Sequence, residues 1–174
     1  GPVLGELLRG AMQQADVRVG ALHHFADVLA ERGTLPGRLV ELMRLRIAFH
    51  NQCRSCMAIR YQRAAADVSE ADVCSLETPS EADQLNDKER LAIELGDRFA
   101  CDHLSIDDAF FTELKDEFTE AEVMELLMHC ALYVGVGRLA AVLDMTEELP
   151  AGFAQPFGSD HIVSPSSDAP VLVR

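Results

Sequence analysis

The amino-acid sequence predicts an all-α protein, a helical bundle of about seven or eight helices followed by an extended C-terminal arm. Three observations predict it. Apolar residues recur at three- and four-residue intervals over most of the chain. Short polar side chains stand three residues before Asp or Glu where those runs begin. No segment alternates apolar and polar residues, and no Asn-Gly or Asp-Gly hairpin turn is present.

The elements follow in order. Val19, Leu22, His23, Ala26 and Ala30 mark a first helical stripe. Gly33 and Pro36 end it, because glycine weakens a helix and proline restricts the residue before it. Leu39, Leu42, Met43 and Ile47 mark the next stripe, with Arg46 its polar exception. Asn51-Gln52 then closes that helix and leaves Cys53 near the start of another. "NDKERLAIELGDRFA" carries Leu91, Ala92, Leu95 and Phe99 on one face, and "TEAEVMELLMHCALYV" carries Val123, Leu126, Leu127, Cys130, Ala131 and Val134. Five pairs have the spacing of a capping box: Ser69 with Asp72, Ser80 with Asp83, Asn86 with Glu89, Ser105 with Asp108, and Thr119 with Glu122. Residues 1–149 read as one helical domain. Residues 150–174 are Pro-rich and aperiodic, an arm for which Phe153, Phe157, Ile162, Val163 and Val171 are candidate anchors across a subunit interface.

Composition narrows the function. The chain has 174 residues, 48% of them hydrophobic, enough for a core. Its uninterrupted apolar runs are far shorter than the ~18–20 residues of a membrane span, so no membrane is expected. No charged-then-apolar leader pattern is present. The net charge is −14, with the acidic excess in residues 67–125, which would repel phosphates and argues against nucleic acid. Five cysteines, an odd number, argue against a secreted disulfide framework and for a reducing, cytoplasmic setting.

Chemistry concentrates in "HNQCRSCMAIR", residues 50–60. Cys53 and Cys56 stand one helical turn apart, with Arg44, Arg46, Arg54, Arg60 and Arg63 around them. Structural zinc would need four ligands, and no second Cys-X-X-Cys or spaced His pair supplies them. Cys101 and Cys130 stand alone and read as small buried apolar residues, and Cys74 as inert. The Cys-X-X-Cys spacing can instead mark a redox-active pair, its thiolate favoured by a helix N-terminus. Arg60, four residues past Cys56, falls on the same face of a continuous helix; it can tune a thiolate or hold an anion but cannot serve as a base. Glu41, on the preceding helix, and His50 are the candidate bases or relays. The spacing alone leaves metal, packing and redox roles open.

Glu41, eleven intervening residues, and Cys53-Arg54-Ser55-Cys56 in a helical context resemble the carboxymuconolactone decarboxylase family, closest to its alkylhydroperoxidase D-like branch. "ELMRLRIAFHNQCRSCMAIRYQRAAADVSEADV" carries most of the likeness, and "FTEAEVMELLMHCALYVGVGRLAAVLDM" resembles the closing helix pair. The likeness spans roughly residues 20–146. It implies a homo-oligomer, trimer or hexamer, that reduces hydroperoxides without a cofactor or metal. In that scheme Cys56 attacks the peroxide, Cys53 resolves the sulfenic acid, Glu41 is the relay carboxylate, and a lipoyl or thioredoxin-like dithiol protein restores the thiols. Two relay histidines of the pattern are replaced here, by Arg60 and Ser55, with His50 as candidate substitute. The family's other activity, cofactor-free decarboxylation, would use Arg44, Arg46 or Arg60 as a carboxylate clamp and His50 as proton donor. A redox-sensing oligomer without turnover is the third reading.

Overall fold

A helix buried on both sides, α2 (Gly37–His50), organises the molecule. The computed structural model describes residues 16–60 and 67–144, except the side chains of residues 16–19 and of His23. Within that range it is all helical and has no strand. Before α2 comes α1 (Asp16–Arg32); after it come α3 (Arg54–Ala58), α4 (Glu70–Ser75), α5 (Asp87–Cys101), α6 (Asp108–Glu117) and α7 (Glu120–Val142). Single 3-10 turns, Pro79–Glu81 and His103–Ser105, precede and follow α5. The expected arm at 150–174, its anchors and Arg63 lie outside the described residues.

Two apolar clusters form, one on each side of α2. Leu39, Met43 and Ile47 pack with Ala92, Leu95, Phe110, Leu114, Val123, Leu126 and Cys130 of α5, α6 and α7. Leu42 and Leu45 pack on the other side with Val68, Val73, Leu76, Leu85 and Ile93. Each such Leu or Ile stabilises the fold by about 1.5–3 kcal/mol relative to exposure. Because α2 has apolar neighbours on both flanks, polar residues on it are enclosed as well: Glu41 and Arg44 are both buried. The expected stripe on α7 holds at Val123, Leu126, Cys130 and Val134, but Ala131 is exposed. Among the described side chains of α1, Leu29 is buried and Ala30 is exposed.

Three of the five anticipated capping boxes form in full, at Ser69/Asp72, Asn86/Glu89 and Thr119/Glu122. The other two do not. Ser80 lies inside the first 3-10 turn, and Ser105 ends the second, two residues before the N-cap of α6. Asp107 caps α6 instead, accepting from the Phe110 N–H at 2.9 Å. Two of the boxes also serve the tertiary structure. Arg38 of α2 donates to Glu89 at 2.7 Å and to Asp72 at 2.9 Å, so one guanidinium joins the starts of α4 and α5.

Gly33 allows α7 to close over the turn between α1 and α2. A Cβ there would stand 2.5 Å from Glu125 Oε1 and 2.6 Å from the Leu29 carbonyl. In that space Glu125 accepts from the Thr34 N–H at 2.9 Å, the Thr34 hydroxyl at 2.9 Å and the Leu35 N–H at 3.2 Å.

Sequence runs hide one property of α7. Among the described residues it is the one helix long and apolar enough to cross a membrane, although Glu, His and Arg interrupt its apolar runs. The core helix of a soluble protein passes the same test, and α7 turns Val123, Leu126, Cys130 and Val134 into the core.

Candidate redox site

The chain between α2 and α3 is a tight reversal with Cys53 at its centre. Asn51 is the C-cap of α2, and Gln52 adopts φ 52°, the left-handed conformation common just past a helix end. The Gln52 N–H donates to the Phe49 carbonyl at 3.1 Å and the Cys53 N–H to the Ala48 carbonyl at 3.2 Å. This crossed pair satisfies two of the free carbonyls at the end of α2. The Gln52 side chain adds a bond to the Phe49 carbonyl at 2.7 Å. Cys53 then serves the next helix as its N-cap, its sulfur accepting from the Cys56 N–H at 3.2 Å. One residue therefore ends one helix and begins another, as the Asn51-Gln52 signal led us to expect.

The reversal brings both sulfurs together. Cys53 and Cys56 form a disulfide, with their Cα atoms 5.2 Å apart. The two cysteines are not equivalent. Cys53 is fully buried, whereas Cys56 is partly exposed. The Ser55 hydroxyl lies 3.3 Å from Cys53 Sγ. Asn51 is held by donation from Nδ2 to the Tyr133 carbonyl at 2.9 Å. Gly137 of α7 makes room for it, since a Cβ there would collide with Asn51 Nδ2.

Glu41 and Arg44 form the charged floor under α3. Arg44 grips Glu41 with two bonds of 2.7 Å, and donates to the carbonyls of Cys56 at 2.6 Å and Ile59 at 2.8 Å. The carboxylate of Glu41 thus reaches the cysteine helix through Arg44. Arg44 links the two helices, a role the spacing did not single out. The signal was present: two charged residues three apart on a helix otherwise apolar on both flanks pair inside the core.

Arg60 takes another position than expected. Helix α3 ends at Ala58, so Arg60 lies beyond it and the four-residue relation to Cys56 is lost. Its guanidinium bonds the Met57 carbonyl and pairs with Glu70 at 3.6 Å. Arg54 instead anchors α3, by an ion pair with Asp144 just past α7. All three arginines considered as a clamp already have protein acceptors: Arg44 has Glu41, Arg46 has Asp97 at 2.6 Å, and Arg60 has Glu70.

His50 ends α2 and turns towards α5. Its Nε2 lies 2.6 Å from Asp97 Oδ1 and its Nδ1 3.4 Å from Cys101 Sγ. Burial opposes ionisation of Asp97, but hydrogen bonds from His50 and Arg46 outweigh it and hold the carboxyl below its ordinary range. Cys101 corrects the sequence reading: it is exposed, because α5 ends there and its last residue projects from the bundle. Cys130 is buried as expected, and burial pushes its thiol up to about 12. Cys74 is exposed. Among the described residues, no three or more His, Cys, Asp or Glu side chains are grouped so as to hold a metal ion. A scan of protein-family models finds no match to this chain, and a search of curated proteins finds none.

Proposed function

We propose that this chain is a thiol-disulfide oxidoreductase of the alkylhydroperoxidase D-like type that reduces small hydroperoxides. One observation carries the reading: a bonded Cys53–Cys56 pair in which Cys53 is fully buried and Cys56 is partly exposed. The more exposed cysteine suits attack and the buried one suits resolution. The resemblance around Glu41 and Cys53-Arg54-Ser55-Cys56 supports the same assignment.

The Cys56 thiolate attacks the distal peroxide oxygen, the O–O bond breaks, and an alcohol leaves after taking a proton. Cys56 is then a sulfenic acid. The Cys53 thiol displaces its hydroxyl, forming the disulfide and releasing water. A dithiol partner, lipoyl or thioredoxin-like, reduces the disulfide and is itself oxidised. Arg44 supports this cycle by fixing the carbonyl of Cys56, and Glu41 positions Arg44. The Ser55 hydroxyl stands 3.3 Å from Cys53 Sγ, beside the resolving sulfur. The same reading makes the protein a cytoplasmic homo-oligomer, trimer or hexamer. Decarboxylation is less well supported, because its candidate clamp arginines are engaged by Glu41, Asp97 and Glu70.

The test is peroxide consumption with a dithiol reductant, read beside mass spectrometry of the cysteines. Cys56→Ser should abolish turnover. Cys53→Ser should leave a Cys56 sulfenic acid that a dione reagent traps. Turnover retained in Cys56→Ser refutes the assignment. Disulfide formation without turnover in the wild type selects the redox-sensing reading instead.

A further inference from the structure

We propose that Cys101, His50 and Asp97 form a second reactive-thiol site, separate from Cys53–Cys56, that exchanges with low-molecular-weight disulfides. The three side chains stand in the order nucleophile, base and orienter. Cys101 Sγ is 3.4 Å from His50 Nδ1, and His50 Nε2 is 2.6 Å from Asp97 Oδ1. With its proton on Nε2 and directed at Asp97, the neutral ring presents the Nδ1 lone pair to the thiol. That is the tautomer a base needs. Cys101 is exposed, so a small molecule can reach it.

The surroundings hold this geometry. His50 ends α2, with its ring turned onto α5. Arg46 shares Asp97 with it at 2.6 Å and fixes the carboxylate, donating also to the Leu76 carbonyl at 2.6 Å. Cys101 ends α5, and Arg138 of α7 holds that end by donating to the Ala100 carbonyl at 2.6 Å. Asp102 follows Cys101 in the chain, and Glu94 on α5 is paired with Arg98 at 2.6 Å. Arg46, Arg98 and Arg138 balance Asp97, Glu94 and Asp102, so the site suits an uncharged disulfide.

Disulfide exchange is the reaction these groups can complete. The triad has a nucleophile and a base, and exchange needs no donor set for a developing oxyanion. Cys101 passes its proton to Nδ1 and its thiolate attacks one sulfur of the disulfide. A new S–S bond forms to Cys101, the old one breaks, and the departing thiolate recovers the proton from Nδ1. Cys101 is oxidised, and half of the small disulfide is reduced to a thiol.

The full chain, with Cys53 and Cys56 oxidised, is treated with 2-hydroxyethyl disulfide at neutral pH, and adducts are followed at each cysteine by peptide mass spectrometry. Cys74, the other exposed thiol, is the internal reference. Cys101 should react about 10-fold or more faster than Cys74. His50→Gln should remove that advantage and leave Cys74 unchanged. Asp97→Asn should reduce it, and Asp97→Glu should restore part of it. Equal rates at Cys101 and Cys74 in the wild-type chain, which needs no variant to fold, overturn the proposal. So does an advantage that survives His50→Gln. Neither result bears on peroxide turnover at Cys56.

Discussion

Arg44 carries its charge into a site where only 4% of the residue is accessible, and Glu41, 3% accessible, is the carboxylate that balances it. Removing one member of such a pair strands the other in a medium that solvates it poorly. Glu41→Gln should therefore cost about 3–5 kcal/mol in a denaturant titration. A Glu41→Gln/Arg44→Met double variant should recover much of that loss while loosening α3, because the carbonyls of Cys56 and Ile59 lose their donor. A double variant as unstable as the single would show that Arg44 matters to the fold mainly through those carbonyls. Arg44→Lys should not substitute, since an ammonium lacks the planar fork that bonds a carboxylate and two carbonyls together.

Helix ends show how local signals meet tertiary demands. The Asn86 side chain accepts from the Glu89 N–H at 2.9 Å, and the Glu89 carboxylate accepts from the Asn86 N–H at 3.1 Å. Asn86→Ala should cost about 1 kcal/mol by thermal or chemical unfolding. Ser80→Ala, at an equally promising spacing that forms no box, should stay within about 0.5 kcal/mol of wild type. The boxes at Asn86 and Thr119 were legible because they precede long helices, of 15 and 23 residues. Pro79 redirects the chain at Ser80 into a 3-10 turn, where the pattern carries no helix. The end of α3 was not legible either. It stops after five residues, so a four-residue step from Cys56 to Arg60 no longer describes a shared face.

At the scale of the whole molecule, acid should weaken the fold in two stages. His129 on α7 is buried, and burial pulls its pKa below the ordinary value of 6.5, although the Glu125 charge opposes this. Its Nδ1 has no hydrogen-bond partner among the described residues, so an added proton finds no acceptor there. Below pH 6.5 the unfolded chain binds this proton more readily than the folded one, so stability falls as pH drops through that window. Denaturant midpoints measured across it should decline in the wild type and flatten in His129→Gln. The second stage lies lower. The Arg38 guanidinium holds Asp72 well below the ordinary carboxylate range, and Asp97 is also depressed. Their contribution is present above their ordinary value of 3.8 and is lost as pH falls through the folded values. A decline that persists unchanged in His129→Gln would place the first stage on another group.

By itself the sequence determined the helical class, the stripe on α5, most of the stripe on α7, three capping boxes, the reversal at Asn51-Gln52 and the proximity of Cys53 to Cys56, whereas the expected stripe on α2 divides, Leu42 facing away from Leu39, Met43 and Ile47. Each depends on residues within about one or two helical turns, where spacing fixes which side chains meet. Only the tertiary structure decided which charges share a partner. It enclosed Glu41 with Arg44, turned Arg60 to Glu70 and drew His50 across to Asp97 and Cys101. Those choices depend on which helix packs beside α2 and where each helix stops, and a buried or half-buried charge takes whatever opposite partner that packing brings within reach.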